Sequence, residues 1–599
     1  MAVHIEGQGR EIHKGTYGKD IRGPISDALW ILYNHGLQAT TKMLMTQEEY
    51  DALEVKDQNV AYCIYDPTEP VWKDYWISVI MLDGDADTDD IFYCKTLSEA
   101  RAKLDEYYEN DPDAMYRIWI GEECGVVAVS ERTFQSCPNM VAFHVPGTVR
   151  VISSAAFNGS ALQYLTFSES DIQLQIYNGA FESTQLRSVA IPNRCVISSS
   201  RGSEFKSNYR LESITIGNSL SVISYSMFYG CTILDDVHLP DNVTTIEYQG
   251  FYGSGLITID INKVNSIGER AFMTCSKLKN IDLSQVHYIG PYAFGYCEEL
   301  ERVEFDALSS SLGAHSFEAC GNLETVVAHP GSQYTINDYT FAYCYKLKIV
   351  VLQDEVNCKS IGERAFYYCR ELPEIQIPNA VLIIKQEAFA GCESLTTIDL
   401  PSDLGTIGDN AFALCYLLDN VVIPPFVTNI GVRAFYNCRS IKSLDFPKGL
   451  RTISNGVCEH CTSLAHVSIP STVAEIGEEA FSGCYSLPSI IIPNGPTVIQ
   501  KGAFRWCYEL ETVIIGKDVA QIMDDPAKMQ SFSTELGVFH ACTKLKTIII
   551  YREEDSIMDA NGDVWTPKLY KEGHAPTITD YLPEDCQIIW KGAPLPDDI

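Results

Sequence analysis

The sequence predicts a solenoid of short stacked repeats preceded by a small α+β region, and three observations carry that prediction. SIGERAFMTCSKLKNIDL at residues 266–283 returns almost unchanged as SIGERAFYYCRELPEIQI at 360–377. Aligned on the Phe of AF-x-x-C, the same unit occurs eighteen times, mostly 21 to 25 residues apart. The register runs through Phe134, Phe157, Phe181, Phe205, Phe228, Phe251, Phe272, Phe294, Phe317, Phe341, Phe366, Phe389, Phe412, Phe435, Cys458 in place of Phe, Phe481, Phe504 and Phe539. Finally, fourteen of the twenty-one cysteines stand three residues after that position. A unit this short cannot bury an apolar face alone, so neighbouring units must stack.

Within a unit, Ile stands five residues before the Phe, as at Ile267, Ile361, Ile384, Ile407, Ile430 and Ile476. A Leu follows at six and two aliphatics at nine and eleven, as in Leu372, Ile375 and Ile377. Alternation at the last two positions predicts a strand, and AF-x-x-C-x-x-L predicts a compact turn or short helix. The cysteine column holds Cys275, Cys297, Cys320, Cys344, Cys369, Cys392, Cys415, Cys438, Cys461, Cys484 and Cys507, and elsewhere accepts Ser160, Thr184, Asn208 or Ser254. A slot open to Cys, Ser and Thr is a small buried ladder position, so these cysteines are expected to be scaffold. The single CEHC at 458–461 fits the same scheme, since Cys461 is a ladder residue, Cys458 replaces the core Phe, and no second CxxC lies nearby.

IGVRAFYNCRSIKSLDFP at 430–447 and IGEEAFSGCYSLPSIIIP at 476–493 resemble the BspA-like class of leucine-rich repeats, whose pattern runs I-x-x-x-A-F-x-x-C-x-x-L-x-x-I-x-I-P. The resemblance covers residues 125–550. It implies about eighteen repeats in a curved solenoid with parallel strands on one face, and adhesion or ligand binding rather than catalysis.

Ahead of the repeats, TYGKDIRGPISDALWILYN at 16–34 resembles the opening of bacteriophage tail and baseplate-appendage proteins, through Tyr17, Gly18, Asp20, Ile21, Arg22, Ile25, Ala28 and Leu29. Physically, Asp20 is a candidate N-cap, Pro24 falls in the first helical turn, and Ile21, Ile25, Ala28, Leu29 and Leu32 form one apolar stripe. MTQEEYDALEVKDQNVAYCIYD at 45–66 resembles a segment of phage tail-fibre and head-fibre proteins, with Tyr50 and Leu53 in the matching positions. Its residues predict a helix over 47–53, a turn at 56–59 and a strand over 60–64. The resemblances imply a virion-attachment segment at 1–38 and a fibre-type motif at 39–66. Residues 67–124 alternate strand-like YWISVIML, helical TLSEARAKLDEYYEN and strand-like AMYRIWIG stretches, a small α+β domain, and 551–599 form a C-terminal cap ending in the apolar CQIIW.

Charge narrows the partners. With 44 Lys and Arg against 79 Asp and Glu the formal charge is −35, which repels nucleic acid and anionic membrane surfaces alike. The N-terminus lacks a signal-peptide core, and no run of about eighteen apolar residues suits membrane insertion. HExxH, GxSxG and Walker A sequences are absent, and the twelve histidines form no ligand pattern. DGDADTDD at 83–90 lacks the Gly and the closing Glu of a calcium loop, and DANGD at 559–563 reads as an Asn-Gly hairpin turn. No catalytic residue, cofactor or metal is therefore expected, and no enzyme.

Two surface rows are candidate receptor contacts. Ten residues after each Phe an outward strand position reads Asp282, Glu304, Val327, Val351, Gln376, Asp399, Val422, Asp445, Ser468, Ile491, Ile514 and Ile549, turning aliphatic toward the C-terminus. Such a row is either an interface or is covered by the insertion at 517–535 or by the tail. Tyr345, Tyr416, Tyr485 and Tyr508, with Trp506, recur just after the ladder position and could line a ridge or simply shield the turns. The expected protein is a phage tail-fibre or baseplate appendage, assembled in the host cytoplasm and carried on the virion. It would dock to tail, baseplate or capsid proteins through its N-terminus and bind a host-surface glycan or protein through its repeats. Fibres of this kind are commonly trimeric, but no heptad run marks a coiled-coil stalk here. The alternatives are a head fibre, a bacterial or protist surface adhesin, and an intracellular effector.

Overall fold

The computed structural model describes residues 91–592 apart from 122–123, 198–201, 306–311, 329–334, 353–357, 524–536, 555, 566–568, 571–581 and 584, together with strands at Ala2–Ile5, Arg10–His13, Thr41–Thr46, Val60–Tyr65 and Ile77–Met81. It divides into two compact units, Met1–Asn242 and Val243–Ile599. The strand expected over 60–64 is present as Val60–Tyr65, paired in parallel with Thr41–Thr46. The helices expected at 21–32 and 47–53 lie outside the described residues, as does the acidic stretch at 83–90.

In the first unit one eight-stranded sheet runs Ile91–Cys94, Ile77–Met81, Tyr116–Ile120, Met140–Val145, Tyr164–Phe167, Ser188–Ala190, Ser213–Thr215 and Asp236–His238. Its first two pairings are antiparallel, and every pairing from Tyr116–Ile120 onward is parallel. The strands before residue 124 thus continue directly into the repeat sheet. The helix Leu97–Asn110 starts at Thr96, whose hydroxyl accepts from Glu99 N while the Glu99 carboxylate accepts from Lys95 N, a reciprocal cap. Its buried Leu97, Ala100 and Leu104 form the apolar face. Arg101 donates to the Gln135 carbonyl at 2.7 Å and Asn139 donates to the Leu104 carbonyl at 2.8 Å, seating the helix on the first repeat turn. A solenoid needs such a cap because its terminal turn otherwise exposes core and backbone edges.

In the second unit the two-residue strands Ser360–Ile361, Ile383–Ile384, Thr406–Ile407 and Asn429–Ile430 pair in parallel, which places Ile361, Ile384, Ile407 and Ile430 in one buried row. The longer strands Ser489–Ile492, Thr512–Ile515 and Thr547–Ile550 form a second ladder. The tail strand Gln587–Trp590 joins it in parallel as the last strand. DANGD is a hairpin turn, with Asn561 N and Asp563 N both donating to the Asp559 carboxylate.

The AF-x-x-C stretch is a turn and not a helix. The residues two before and two after the Phe both take left-handed backbone, as Arg364 (φ 51°) and Tyr368 (φ 56°) do around Phe366. Alternate amides then serve different partners. Arg364 N, Phe366 N and Tyr368 N donate to the carbonyls of Gln386, Ala388 and Ala390 in the next turn, at 2.8 to 3.0 Å, while Ala365 N, Tyr367 N and Cys369 N close bonds within their own turn. A helix would direct every amide along its own axis and leave none for the neighbour. Left-handed backbone costs an L-residue about 1–2 kcal/mol, and the bonds between turns hold it there.

Inside this corner the phenylalanines form a column. Phe366, Phe389, Phe412 and Phe435 stack at 5.2 to 5.6 Å, within 7° of parallel, and all are fully buried. Cys458 interrupts the column, and Phe446, standing where adjoining turns carry Ile423 and Ile469, meets the Phe481 ring edge-on at 6.2 Å.

The cysteine column has a specific bonding role. Beyond the first turn, where Cys137 bonds the Asn139 side-chain oxygen, each ladder thiol points at the carbonyl of the previous turn's core residue: Cys369 to Phe341 at 3.2 Å, Cys392 to Phe366 at 3.2 Å, Cys415 to Phe389 at 3.3 Å and Cys438 to Phe412 at 3.0 Å. Even Cys484 bonds the Cys458 carbonyl, at 3.3 Å. Where Asn208 fills the slot, its amide donates to the carbonyls of both Phe181 and Phe205. Burial pushes these thiols up, Cys231 to about 12 and Cys275 to about 11, so they are protonated and poor nucleophiles or metal ligands. Among the described residues no group of three or more His, Cys, Asp or Glu side chains is arranged to hold a metal ion.

Two outcomes follow. Cys369→Ser keeps the donor and is expected to cost less than Cys369→Ala, which removes it and leaves a small void, for about 1–2 kcal/mol in urea unfolding. Because the folded thiols keep their protons where unfolded ones, at 9.0, have lost them, stability is complete below that pH and falls as pH rises toward about 11 or 12. For each such thiol the slope averages about 0.7 kcal/mol per pH unit between pH 8 and 10, roughly the range over which a free thiol ionises, and approaches about 1.4 kcal/mol per unit above it, measurable as a declining urea midpoint.

Candidate functional site

The corner that buries Phe and Cys turns the intervening residues outward, so each outer position becomes a column climbing the stack one turn at a time. Two residues before the Phe, in the second unit, the column reads Arg270, Tyr292, His315, Tyr339, Arg364. Tyr292 and His315 stack at 4.2 Å and His315 and Tyr339 at 4.5 Å, while the Arg270 guanidinium lies 5.3 Å from the Tyr292 ring and that of Arg364 lies 5.4 Å from Tyr339. Cations at both ends of an aromatic stack are attracted to its outer faces. Arg364 also forks onto Glu387, at 2.7 and 3.1 Å, and Arg270 meets Glu269 at 3.1 Å. The Arg364 fork holds the Glu387 carboxyl below its usual range and makes Arg364 harder to deprotonate. The His315 ring meets Glu318 at 2.9 Å.

Two residues after the Phe the column reads Tyr296, Ala319, Tyr343, Tyr368, Gly391. Tyr343 lies 6.3 Å from Tyr368, nearly parallel, and 5.3 Å from Tyr367, perpendicular. Burial raises the hydroxyl pKa of Tyr296, Tyr343 and Tyr367, with nearby Glu318 adding to it for Tyr296 and Tyr343. These rings are therefore neutral phenols able to donate hydrogen bonds.

The tyrosines expected to form a ridge fall in the column four after the Phe, which reads Glu298, Gly321, Tyr345, Arg370, Glu393, Tyr416, Arg439, Thr462, Tyr485, Tyr508. The ridge is broken into segments. Arg370 lies 5.1 Å over Tyr345 and pairs with Glu393 at 3.4 Å, Arg439 lies 4.7 Å over Tyr416, and Tyr485 meets Tyr508 at 5.0 Å. Trp506 belongs to the neighbouring column and is covered by the Arg505 guanidinium at 3.5 Å. Arg505 is itself buried and donates to Glu479 at 3.2 Å.

On the strand face, Val422 is 74% exposed and shares its row with the acidic Asp399 and Asp445. Ile491, Ile514 and Ile549 are half-buried against one another, and the tail strand lengthens their row by placing Ile589 in register. The N-terminal candidates Tyr17, Gly18, Asp20, Ile21, Arg22, Ile25, Ala28, Leu29, Tyr50 and Leu53 lie outside the described residues. The Arg270 to Arg364 stack and the Tyr343, Tyr367 and Tyr368 cluster were not singled out from sequence. Writing the repeats one above another and reading the left-handed positions down the page would have shown them.

These features define a protein of stacked, parallel-stranded turns with a bonded thiol ladder and an aromatic, arginine-studded turn face. A family model of the BspA type leucine rich repeat region matches residues 127–201, 198–324, 334–464 and 451–560, and the chain belongs to that family. A phage tail tip domain model matches residues 45–65. No curated protein is matched. Among solved structures, a leucine-rich repeat protein from Bacteroides ovatus is 21% identical, covering 78% of this chain and 88% of that one with a TM-score of 0.38. A leucine rich cell surface protein from Faecalibacterium prausnitzii is 24% identical, covering 64% and 84% with a TM-score of 0.28. Among the described residues no helix is long and apolar enough to cross a membrane.

Arg364→Lys keeps the charge but loses the planar fork and the ring stacking. It is expected to destabilise the second unit by about 1 kcal/mol, read as a lowered thermal midpoint, with the Lys unable to restore what Arg supplied.

Proposed function

We propose that this chain is a structural protein of a bacteriophage virion, a tail-fibre or baseplate appendage whose N-terminal residues dock to the particle and whose repeats bind a receptor on the host surface. The observation that carries the reading is the match of residues 45–65 to a phage tail tip domain in a chain whose remainder is mostly BspA-type repeat. The repeat region supports a binding role, because its outward columns present exposed tyrosines and paired arginines. Individually weak contacts of this kind gain strength when several copies act together. The partners are tail, baseplate or capsid proteins on one side and a host glycan or protein on the other, with no role for nucleic acid, cofactor or catalysis. A bacterial surface adhesin is the second reading, favoured by how much of the chain the repeat family covers.

The test compares the full chain with a variant lacking residues 1–66, each mixed with particle proteins and with host cells. The expected outcome is that the full chain retains one particle protein, that the deletion abolishes this, and that both forms still bind cells. Retention by neither form, with cell binding by both, would move the assignment to a surface adhesin.

A further inference from the structure

The strand Gln587–Trp590 lies last in its sheet, paired on one side with Thr547–Ile550, and among the described residues no strand pairs with its other side. Gln587 N and Lys591 N donate to the Lys546 and Ile550 carbonyls, each at 2.8 Å. In a parallel ladder alternate residues face the same neighbour, so Ile589 also turns its backbone toward Thr547–Ile550. The amides and carbonyls of Ile588 and Trp590 therefore point away from the sheet, and among the described residues no group bonds them.

The side chains show the same open end. Ile588 and Trp590 stand in register with Ile548 and Ile550, which are fully buried, yet are themselves only half-buried, because no further turn closes the inward face beside them. The second ladder also runs out on apolar residues: Met558 bridges Gln521, Val564 bridges Met558, and both are exposed. Edge strands are commonly guarded by a charge, a proline or a bulge. Gln587–Trp590 carries neither charge nor proline and pairs without a shift of register.

This edge is complementary to itself. Under a two-fold axis through Ile589, Ile588 falls opposite the partner's Trp590 and Trp590 opposite the partner's Ile588. These are the residues whose backbone faces outward, so each pair can exchange both of its N–H···O bonds in the antiparallel manner. The half-buried inward side chains of each copy then cover those of the other. Ile589 lies beside its own counterpart, joining the two aliphatic rows of Ile491, Ile514, Ile549 and Ile589 end to end. Gln587 falls opposite Lys591, so like charges do not meet across the axis. A foreign strand would have to supply this alternation and register anew, whereas a second copy already has both, and closed two-fold pairing is the commonest self-association.

We propose that two copies of this chain associate tail to tail by antiparallel pairing of Gln587–Trp590, giving one sheet continuous across the two-fold axis. Such a dimer requires nothing of the receptor reading above. With a formal charge of −35 on each chain, long-range repulsion opposes it while backbone bonds and apolar contact drive it, so added salt should strengthen it. Sedimentation of the full chain over roughly 1–100 µM should show a monomer–dimer equilibrium. Ile589→Lys and Ile589→Glu each set like charges face to face and should each weaken the dimer by about tenfold or more. An equimolar mixture of the two should restore it, which only pairing of residue 589 with itself allows. Ile588→Pro removes an amide that the single chain leaves unused and should give a monomer of unchanged circular dichroism. Amide hydrogen exchange reads the unaltered chain directly, with Ile588 and Trp590 gaining protection as concentration rises. A monomer at every concentration, a trimer, a dimer indifferent to these substitutions, a mixture that stays monomeric, or exchange independent of concentration would each overturn the pairing. Retention of a particle protein that Ile588→Pro abolishes, with no dimer formed, would assign the edge to that protein and overturn it as well.

Discussion

The structure depends on the bonds that pass from one corner to the next. Three alternate amides around each Phe reach the following turn, and they can do so only because two flanking residues adopt left-handed backbone. Each turn thus becomes both the template and the partner of its neighbour. The phenylalanine column, the thiol ladder and the outward columns all inherit their spacing from this arrangement. Stability in such an array accumulates through neighbouring interfaces, since an isolated turn has nothing to bond to.

The cysteines illustrate how this geometry sets chemistry. A thiol three residues after Phe lies under the previous turn's carbonyl and gives it a second donor beside the amide of that turn's own cysteine. Where Asn208 fills the slot its amide meets the same need, donating to the Phe181 and Phe205 carbonyls, and its side-chain oxygen accepts from the Thr184 hydroxyl at 2.7 Å. Burial keeps the thiols protonated, so a residue type associated with redox or metal chemistry serves here as a small apolar donor.

The same stacking that aligns buried rings also aligns exposed ones. Outside the core it generates the Arg270 to Arg364 stack, whose ring faces are already occupied by one another and by guanidinium groups. A fully stacked column therefore offers only ring edges to a ligand.

Periodicity alone determined the repeat, the buried identity of Phe, Ile, Leu and Cys, and the strand at the end of most units. These are legible because a one-dimensional stack converts sequence spacing directly into spatial neighbourhood. The tail strand was legible as apolar, but its seat beside Thr547–Ile550 was not, because that pairing spans the hairpin at 559–563. The corner also had to wait for the structure, since Arg364, Tyr368 and Leu414 carry no local preference for left-handed backbone and take it only to satisfy the next turn. So did the outer columns, where Tyr345 pairs with Arg370 while Tyr485 pairs with Tyr508. Sequence says which residues climb the same column, but side-chain lean and the charge of the adjoining rung decide which of them touch.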